Sequence, residues 1–162
     1  MYKRQYLDIT GINIAGKTEL QFQALFGAGN EGSSPKYDKW DFIKVTAQID
    51  GGGYNDVIWF SYIPGSDSSP NDNEPIGVDT DFDGSADSAD NLLGTALQSY
   101  SASISGTGST LDIKIHVHME SAGEEIAFDN IQILGSSGGT ITPALLVSQS
   151  AVSYTHLRAH ET

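Results

Sequence analysis

The segment 42–63 reads FIKVTAQIDGGGYNDVIWFSYI and decides the fold class. Its first part, FIKVTAQI, alternates apolar with polar residues, which is the period-two pattern of a strand with one buried face. The glycines at 51–53 then permit the positive φ angles of a hairpin. The returning run VIWFSYI is almost continuously apolar and predicts a strand buried on both faces, with Trp59 in the core.

The same alternation recurs along the chain. Four further segments show it, the second of them weakly: 18–26, 97–104, 111–119 and 126–134. In the third, the odd-numbered residues are predicted to face the core and the even-numbered ones, including His116 and His118, to face solvent. In the fourth, the apolar residues change parity near Asp129, which predicts a β-bulge. No helical pattern competes with these strands, so we predict an all-β fold, an antiparallel β-sandwich.

Composition limits the partners of the chain. Its 162 residues suit one domain with one hydrophobic core. The 8 Lys and Arg against 21 Asp and Glu give a formal charge of -13, which argues against nucleic acid and against anionic membrane surfaces. The chain has no cysteine, which excludes disulfides and thiolate metal sites.

Both ends of the chain resemble translated sequencing adapter. Residues 152–162, VSYTHLRAHET, back-translate into a transposase-type adapter, and residues 1–5, MYKRQ, back-translate into the same adapter in the opposite orientation. We therefore interpret the chain as a metagenomic fragment with adapter at 1–5 and 152–162. Between them we predict a β-sandwich module over 6–135, and a linker with the start of a next domain over 136–151. Five basic and 20 acidic residues remain without the adapter, a net charge of -15.

Residues 64–91 form a long polar connection with eight acidic and no basic residues. Connections of this length usually carry a function or remain disordered. Within this one, DTDFDGSADSAD at 79–90 matches a calcium loop, in which ligands at alternate positions wind around a hard cation. The metal ligands predicted in the loop are Asp79, Asp81, Asp83, Ser85 through its carbonyl, Asp87 and Asp90. The alternative is a solvated acidic loop that binds no ion.

The loop resembles those of EF-hands, dockerins and thrombospondin type 3 repeats. Gly84 stands at the sixth position, where such loops turn sharply, and Asp90 stands at the twelfth in place of the usual Glu. The match covers only the twelve residues 79–90. The resemblance implies a calcium cofactor.

Aromatic side chains are candidates for stacking on sugar rings. Tyr37 and Trp40 lie in the polar segment GNEGSSPKYDKWD and are the predicted ligand-binding pair. His116 and His118 are interpreted as surface histidines on a polar strand face rather than as metal ligands. No nucleophile elbow or other catalytic constellation is present in the sequence, so the chain is predicted not to be an enzyme.

The segments LDITGINIAGKTELQFQALFGA, SGTGSTLDIKIHVHMES and EEIAFDNIQILG, together with the hairpin, resemble the jelly-roll β-sandwich modules of secreted bacterial multidomain proteins. These modules are similar to carbohydrate-binding modules and galactose-binding-like domains. The resemblance covers Leu7 to about Gly135 and implies a sandwich of jelly-roll type. In its FDNI ending, it also implies that Asp129 helps to bind a structural calcium ion.

The resemblance further implies an extracellular or cell-surface accessory module. Its expected partners are a polysaccharide or cell-surface glycan and covalently linked neighbouring domains in the parent protein; neither nucleic acid nor membrane insertion is expected. Two alternatives remain open. One is a structural spacer or adhesion domain stiffened by calcium, and the other is a jelly-roll glycosidase, which requires paired carboxylates on one sheet face.

Overall fold

A computed structural model of the chain describes residues 3–29, 37–63, 74–88, 91–120, 124–137 and 144–149. These residues form nine strands: β1 (Lys3–Asn13), β2 (Lys17–Ala28), β3 (Phe42–Ile49), β4 (Asn55–Tyr62), β5 (Ile76–Asp79), β6 (Gln98–Ser103), β7 (Thr110–Met119), β8 (Ile126–Ser137) and β9 (Ala144–Gln149). Within the described ranges, no helix has the length and apolar character needed to cross a membrane.

Two antiparallel sheets pack face to face. The five-stranded sheet has the order β1-β7-β3-β4-β5, and the four-stranded sheet has the order β6-β2-β8-β9. Sequence neighbours such as β1 and β2 lie in different sheets, as expected when strands cross between the layers of a sandwich. The predicted all-β antiparallel sandwich is confirmed, and its topology is consistent with the jelly-roll type.

The core lies between the two sheets. The inward side of β7, including Leu111, Ile113 and Ile115, is buried as the alternation predicts. From the opposite sheet, Phe26 of β2 packs against Phe60 of β4, with ring centroids 4.8 Å apart. Each such side chain contributes about 1.5–3 kcal/mol through the apolar surface that it buries.

Two bulges change which side chains face the core. The predicted bulge in β8 is confirmed, because the register with β2 shifts beside Asp129 and the next residue, Asn130, has a φ of 51°. A second shift in the β3–β4 pairing leaves Val57 opposite no single partner, and both Val57 and Ile58 are buried. The prediction that Trp59 lies in the core is wrong, since this side chain is half-buried on the outer face of the sheet.

The chain beyond residue 135 continues the sandwich. β8 extends to Ser137, and β9 pairs with it as the edge strand of the four-stranded sheet. The described part of 136–151 thus pairs with the four-stranded sheet, and the domain division of the chain stays a prediction. At the other end, β1 already begins at Lys3, so the last residues of the MYKRQ segment pair with β7.

The prediction that His118 faces solvent is wrong, whereas His116 lies half-buried on the outer face of the sheet. His118 is only 6 % exposed, and its Nδ1 lies 2.7 Å from the carbonyl oxygen of Trp40. His116 is stacked on Tyr6 at 4.4 Å between ring centroids and meets Phe42 edge-on at 4.8 Å. Burial lowers the pKa of His116 to about 4. Aromatic neighbours on adjacent strands cover this face, which an alternating pattern within one strand does not reveal.

Candidate functional site

The acidic loop begins where β5 ends, at Asp79. This residue pairs with Trp59 in the β4–β5 ladder and is completely buried, at 0 % exposure. Its Oδ2 accepts hydrogen bonds from the Ser61 hydroxyl at 3.1 Å and from the Gly84 amide at 2.9 Å. Burial raises the pKa of Asp79, and these hydrogen bonds offset part of the rise. One carboxylate of the loop is thus fixed to the sheet.

The loop turns back on itself after Asp79. Phe82 and Gly84 have positive φ angles of 62° and 95°, which bend the chain sharply. The Asp83 amide points into the turn and lies 3.3 Å from a carboxylate oxygen of Asp79 and 3.3 Å from one of Asp81. The backbone therefore gathers the first two acidic side chains on the same side.

Asp87 completes a group of three carboxylates. Asp79, Asp81 and Asp87 each offer one oxygen, and the three oxygens lie within 4.8 Å of one another. Asp87 also accepts hydrogen bonds from the amide and hydroxyl of Thr80, and the hydroxyl lowers the pKa of Asp87. This cluster, the loop cluster, can hold a metal ion, because carboxylate oxygens are the ligands of hard divalent cations.

Three other predicted carboxylate ligands are not found in the loop cluster. Asp83 is outside the loop cluster, and its Oδ1 accepts a hydrogen bond from the Ser85 amide at 2.8 Å. Asp90 lies outside the described residues. Asp129 lies on β8 in the opposite sheet, where its Oδ1 caps the Asn130 amide at 2.7 Å, and it belongs to neither acidic cluster.

A second acidic group was not predicted. Asp38, Asp41 and Glu124 also place three carboxylate oxygens within 4.8 Å of one another, and we call this group the buried cluster. Asp41 is 1 % exposed and Glu124 is 2 % exposed. The Glu120 amide donates to both, at 3.2 Å to Asp41 and 2.7 Å to Glu124. The spacing of Asp38 and Asp41 in KYDKWD hints at a turn, but no sequence signal connects them with Glu124.

Burial and mutual repulsion set the charge of this second group. Desolvation raises the pKa of Asp41 to about 8, and the nearby Glu124 carboxylate adds to the rise. Burial and the neighbouring charge therefore favour the protonated form of Asp41, since two adjacent buried carboxylates repel each other when both are ionised.

The predicted sugar-stacking pair is divided between core and surface. Tyr37 is 1 % exposed, and its hydroxyl lies 2.6 Å from the Glu125 carbonyl and 2.9 Å from the Gly29 carbonyl. Burial raises its pKa above the usual range. Trp40 is 52 % exposed, with Lys39 Nζ 4.5 Å from its ring centroid. Trp40 alone of the two presents its ring to solvent.

A further aromatic group lies beside the loop cluster. Trp59 stacks on Phe42 with centroids 6.1 Å apart, and Phe82, from the turn of the acidic loop, meets Trp59 edge-on at 6.2 Å. Lys44 lies 4.1 Å over the Trp59 ring and forms a 2.8 Å ion pair with Asp56. The acidic loop is thereby packed against the outer face of the five-stranded sheet.

Comparison with protein-family models and with curated proteins finds no match to this chain. The functional argument therefore rests on the geometry of its own residues.

Proposed function

We propose that the chain is a non-catalytic accessory module of an extracellular protein, which binds calcium through its acidic loop and contacts a glycan at its surface. The observation that carries the proposal is the convergence of Asp79, Asp81 and Asp87 within 4.8 Å on a loop anchored by a buried aspartate. No basic residue of 74–88 is available to neutralise these charges.

Calcium is the cation that this loop suits best. Its three carboxylates come from one short loop and from a mixture of buried and exposed side chains, which suits the flexible oxygen coordination of calcium. Magnesium demands near-ideal octahedral geometry and retains several waters. Water and backbone carbonyl groups would supply the remaining ligands of a bound ion.

Calorimetric titration of chelator-treated protein with calcium chloride tests the proposal. Asp81→Asn removes one charge of the loop cluster while keeping the oxygen that faces the Asp83 amide. Asp38→Asn makes the same change in the buried cluster and serves as the matched control. We expect Asp81→Asn to weaken binding by about tenfold or more, or about 1.4 kcal/mol, and Asp38→Asn to leave it unchanged. Absence of binding, or loss only in Asp38→Asn, would overturn the assignment.

Glycan contact is proposed for Trp40. Its ring is 52 % exposed, and its backbone is held by the Asp38 carboxylate at the amide and by His118 at the carbonyl. A rigid, exposed aromatic ring binds the apolar face of a sugar at little entropic cost. On a glycan array with calcium present, Trp40→Ala should abolish binding, whereas Tyr54→Ala, at a second exposed aromatic residue, should not.

The alternative is a spacer or adhesion domain that calcium stiffens. The hydrogen bond from Ser61 to Asp79 favours it, because an ion on Asp79 would also fasten the loop to β4. Calcium binding without binding to any glycan on the array would select the spacer. The glycosidase alternative gains little from the Asp41–Glu124 pair, since both carboxyls are at most 2 % exposed and a substrate cannot reach them.

A further inference from the structure

The edge strand β6 differs from the two edges of the five-stranded sheet. Within the described ranges, the outer edge of β5 is covered by the chain that follows it, because the Leu93 amide donates to the Ile76 carbonyl at 2.9 Å. The edge strand β1 is interrupted by a bulge between Ile9 and Ile12, and it carries charged side chains. Bulges, charges and covering segments are the usual means by which proteins prevent unwanted strand pairing.

None of these protections is present on β6. Its six residues, QSYSAS, include no charge and no proline, and all of them pair with β2 in one unbroken register. No described residue outside β2 forms a backbone hydrogen bond with them. The four-stranded sheet therefore has an open edge at β6, with backbone groups that a further strand can use.

The ladder between β2 and β6 determines which peptide groups face outward. The Ile104 amide, directly after Ser103, donates to the Leu20 carbonyl at 2.8 Å in the register of the ladder. In an antiparallel ladder, hydrogen-bonded and non-hydrogen-bonded pairs alternate. Ser103, Ser101 and Ser99 therefore lie at non-hydrogen-bonded positions, and their amides and carbonyls point away from β2. Each of these serines thus offers one donor and one acceptor at the edge.

This edge is complementary to itself. When a second β6 is placed antiparallel with Ser101 opposite Ser101, Ser99 of each copy lies opposite Ser103 of the other, so every outward peptide group meets a partner. On the side that faces the core, Tyr100 of one copy lies opposite Ala102 of the other. A large side chain beside a small one packs without a clash.

Charge also favours a second copy at this edge. The chain carries a net charge of -13, so most surfaces of two copies repel each other. The sequence from 91 to 110, which contains β6, has no charged residue, and neither has Gln21–Phe26, the part of β2 that pairs with it. A charged partner would find no opposite charge here, whereas an identical neutral edge meets no repulsion.

We propose that the chain forms a symmetric dimer by antiparallel pairing of β6 with β6 of a second copy, with the two-fold axis at Ser101. Main-chain hydrogen bonds hold the two copies together, as in other cases of strand addition to a sheet edge. An interface confined to one pair of strands is small, so the association is weak and depends on concentration. It uses neither the loop cluster nor Trp40, and its failure would leave the proposed function standing.

Sedimentation equilibrium tests the association. The protein is examined between about 1 µM and about 1 mM, which spans weak dissociation constants. The buffer contains about 0.15 M salt, so that charge repulsion beyond about 8 Å is screened. We expect the average mass to rise from that of a monomer toward that of a dimer. A mass that stays monomeric throughout, or one that grows beyond a dimer, would overturn the proposal.

Paired substitutions at the serines test the register. Ser99→Lys with Ser103→Glu places opposite charges across the interface, because each position faces the other in the second copy. Ser99→Lys with Ser103→Lys is the matched control and places like charges there, although it makes the whole chain less acidic. We expect the first double variant to dimerise at least as tightly as the wild type, and the second to lose about tenfold in affinity. Equal affinities, or the reverse order, would contradict the proposed pairing. Melting temperatures verify that both variants are folded.

Hydrogen exchange of the wild type supplies a test that needs no substitution. The amides of Ser99, Ser101 and Ser103 should exchange more slowly as protein concentration rises. Those of Tyr100 and Ala102, which the ladder already directs toward β2, should change less. Slowing confined to another strand would assign the dimer to a different surface and overturn the proposal.

Discussion

The two acidic clusters gather similar side chains in surroundings that differ in exposure. In the loop cluster, two of the three residues, Asp81 and Asp87, are exposed, and backbone amides hold the group together. In the buried cluster, Asp41 and Glu124 are almost fully enclosed, and desolvation raises the pKa of Asp41 to about 8. Grouped carboxylates repel one another, and burial strengthens this repulsion and favours the protonated form.

The largest expected effect is on the stability of the buried cluster. Asp41→Ala removes the acceptor of the Asp38 amide, which lies 2.8 Å from its carboxylate, whereas the Glu120 amide keeps its hydrogen bond to Glu124. A buried donor left without an acceptor costs about 1–3 kcal/mol, so we expect a loss of about 1–3 kcal/mol in the free energy of unfolding. Urea denaturation measures it, with Asp81→Ala in calcium-free buffer as the control. An equal, small loss in both variants would show that the two clusters do not differ in burial.

Calcium should stabilise the protein through the loop cluster alone. At a calcium concentration of about 100 times Kd, binding adds about 2.7 kcal/mol, which corresponds to a rise of about 5–10 °C in melting temperature. Asp79→Asn should abolish this rise, because Asp79 is the anchored ligand. Asp129→Asn should preserve it, since Asp129 lies in the other sheet. Loss of the rise in the second variant would restore Asp129 as a calcium ligand.

The pH dependence of stability should follow from the buried cluster. Asp41 has a folded pKa raised from 3.8 to about 8, so between these values the native state binds more protons than the unfolded state. The contribution of Asp41 to the free energy of unfolding therefore falls as pH rises, by at most about 1.4 kcal/mol per pH unit. His116, lowered to about 4, acts in the opposite sense below pH 6.5.

The pH range of about 7.5–8 separates the two residues, because His116 is neutral there in the folded protein and almost entirely neutral in the unfolded chain. Urea denaturation across this range should show a decline for the wild type and a flatter profile for Asp41→Asn. Identical profiles would mean that Asp41 ionises normally in the folded protein.

The smallest expected effect is a change in tryptophan fluorescence. The chain has two tryptophans, and each cluster has one beside it: Trp59 contacts Phe82 of the acidic loop, and the Trp40 amide is bonded to Asp38. Calcium should change the fluorescence emission of the Trp40→Phe variant, which retains Trp59. It should leave the emission of the Trp59→Phe variant, which retains Trp40, unchanged. The reverse result would move the ion to the buried cluster.

Much of the fold follows from patterns within single strands. The alternation in 111–119 correctly identified the buried residues Leu111, Ile113 and Ile115, and the parity change near Asp129 correctly located a bulge. The same patterns failed for Trp59 and His118, because a side chain on the outer face is covered or exposed according to its neighbours on other strands. An unpredicted bulge at Val57 and the stacking of Phe42 decided those two positions.

The candidate site likewise combines features that the local sequence predicts with features that depend on strand packing. The sequence by itself determined that acidic residues alternate at 79–87 around a glycine, since this is a local property of one turn. The packing of the strands, by contrast, determines that Asp79 is buried against Ser61, that Tyr37 is buried, and that Asp41 meets Glu124. These outcomes depend on the packing of strands that are distant in the chain, and no local spacing encodes such contacts.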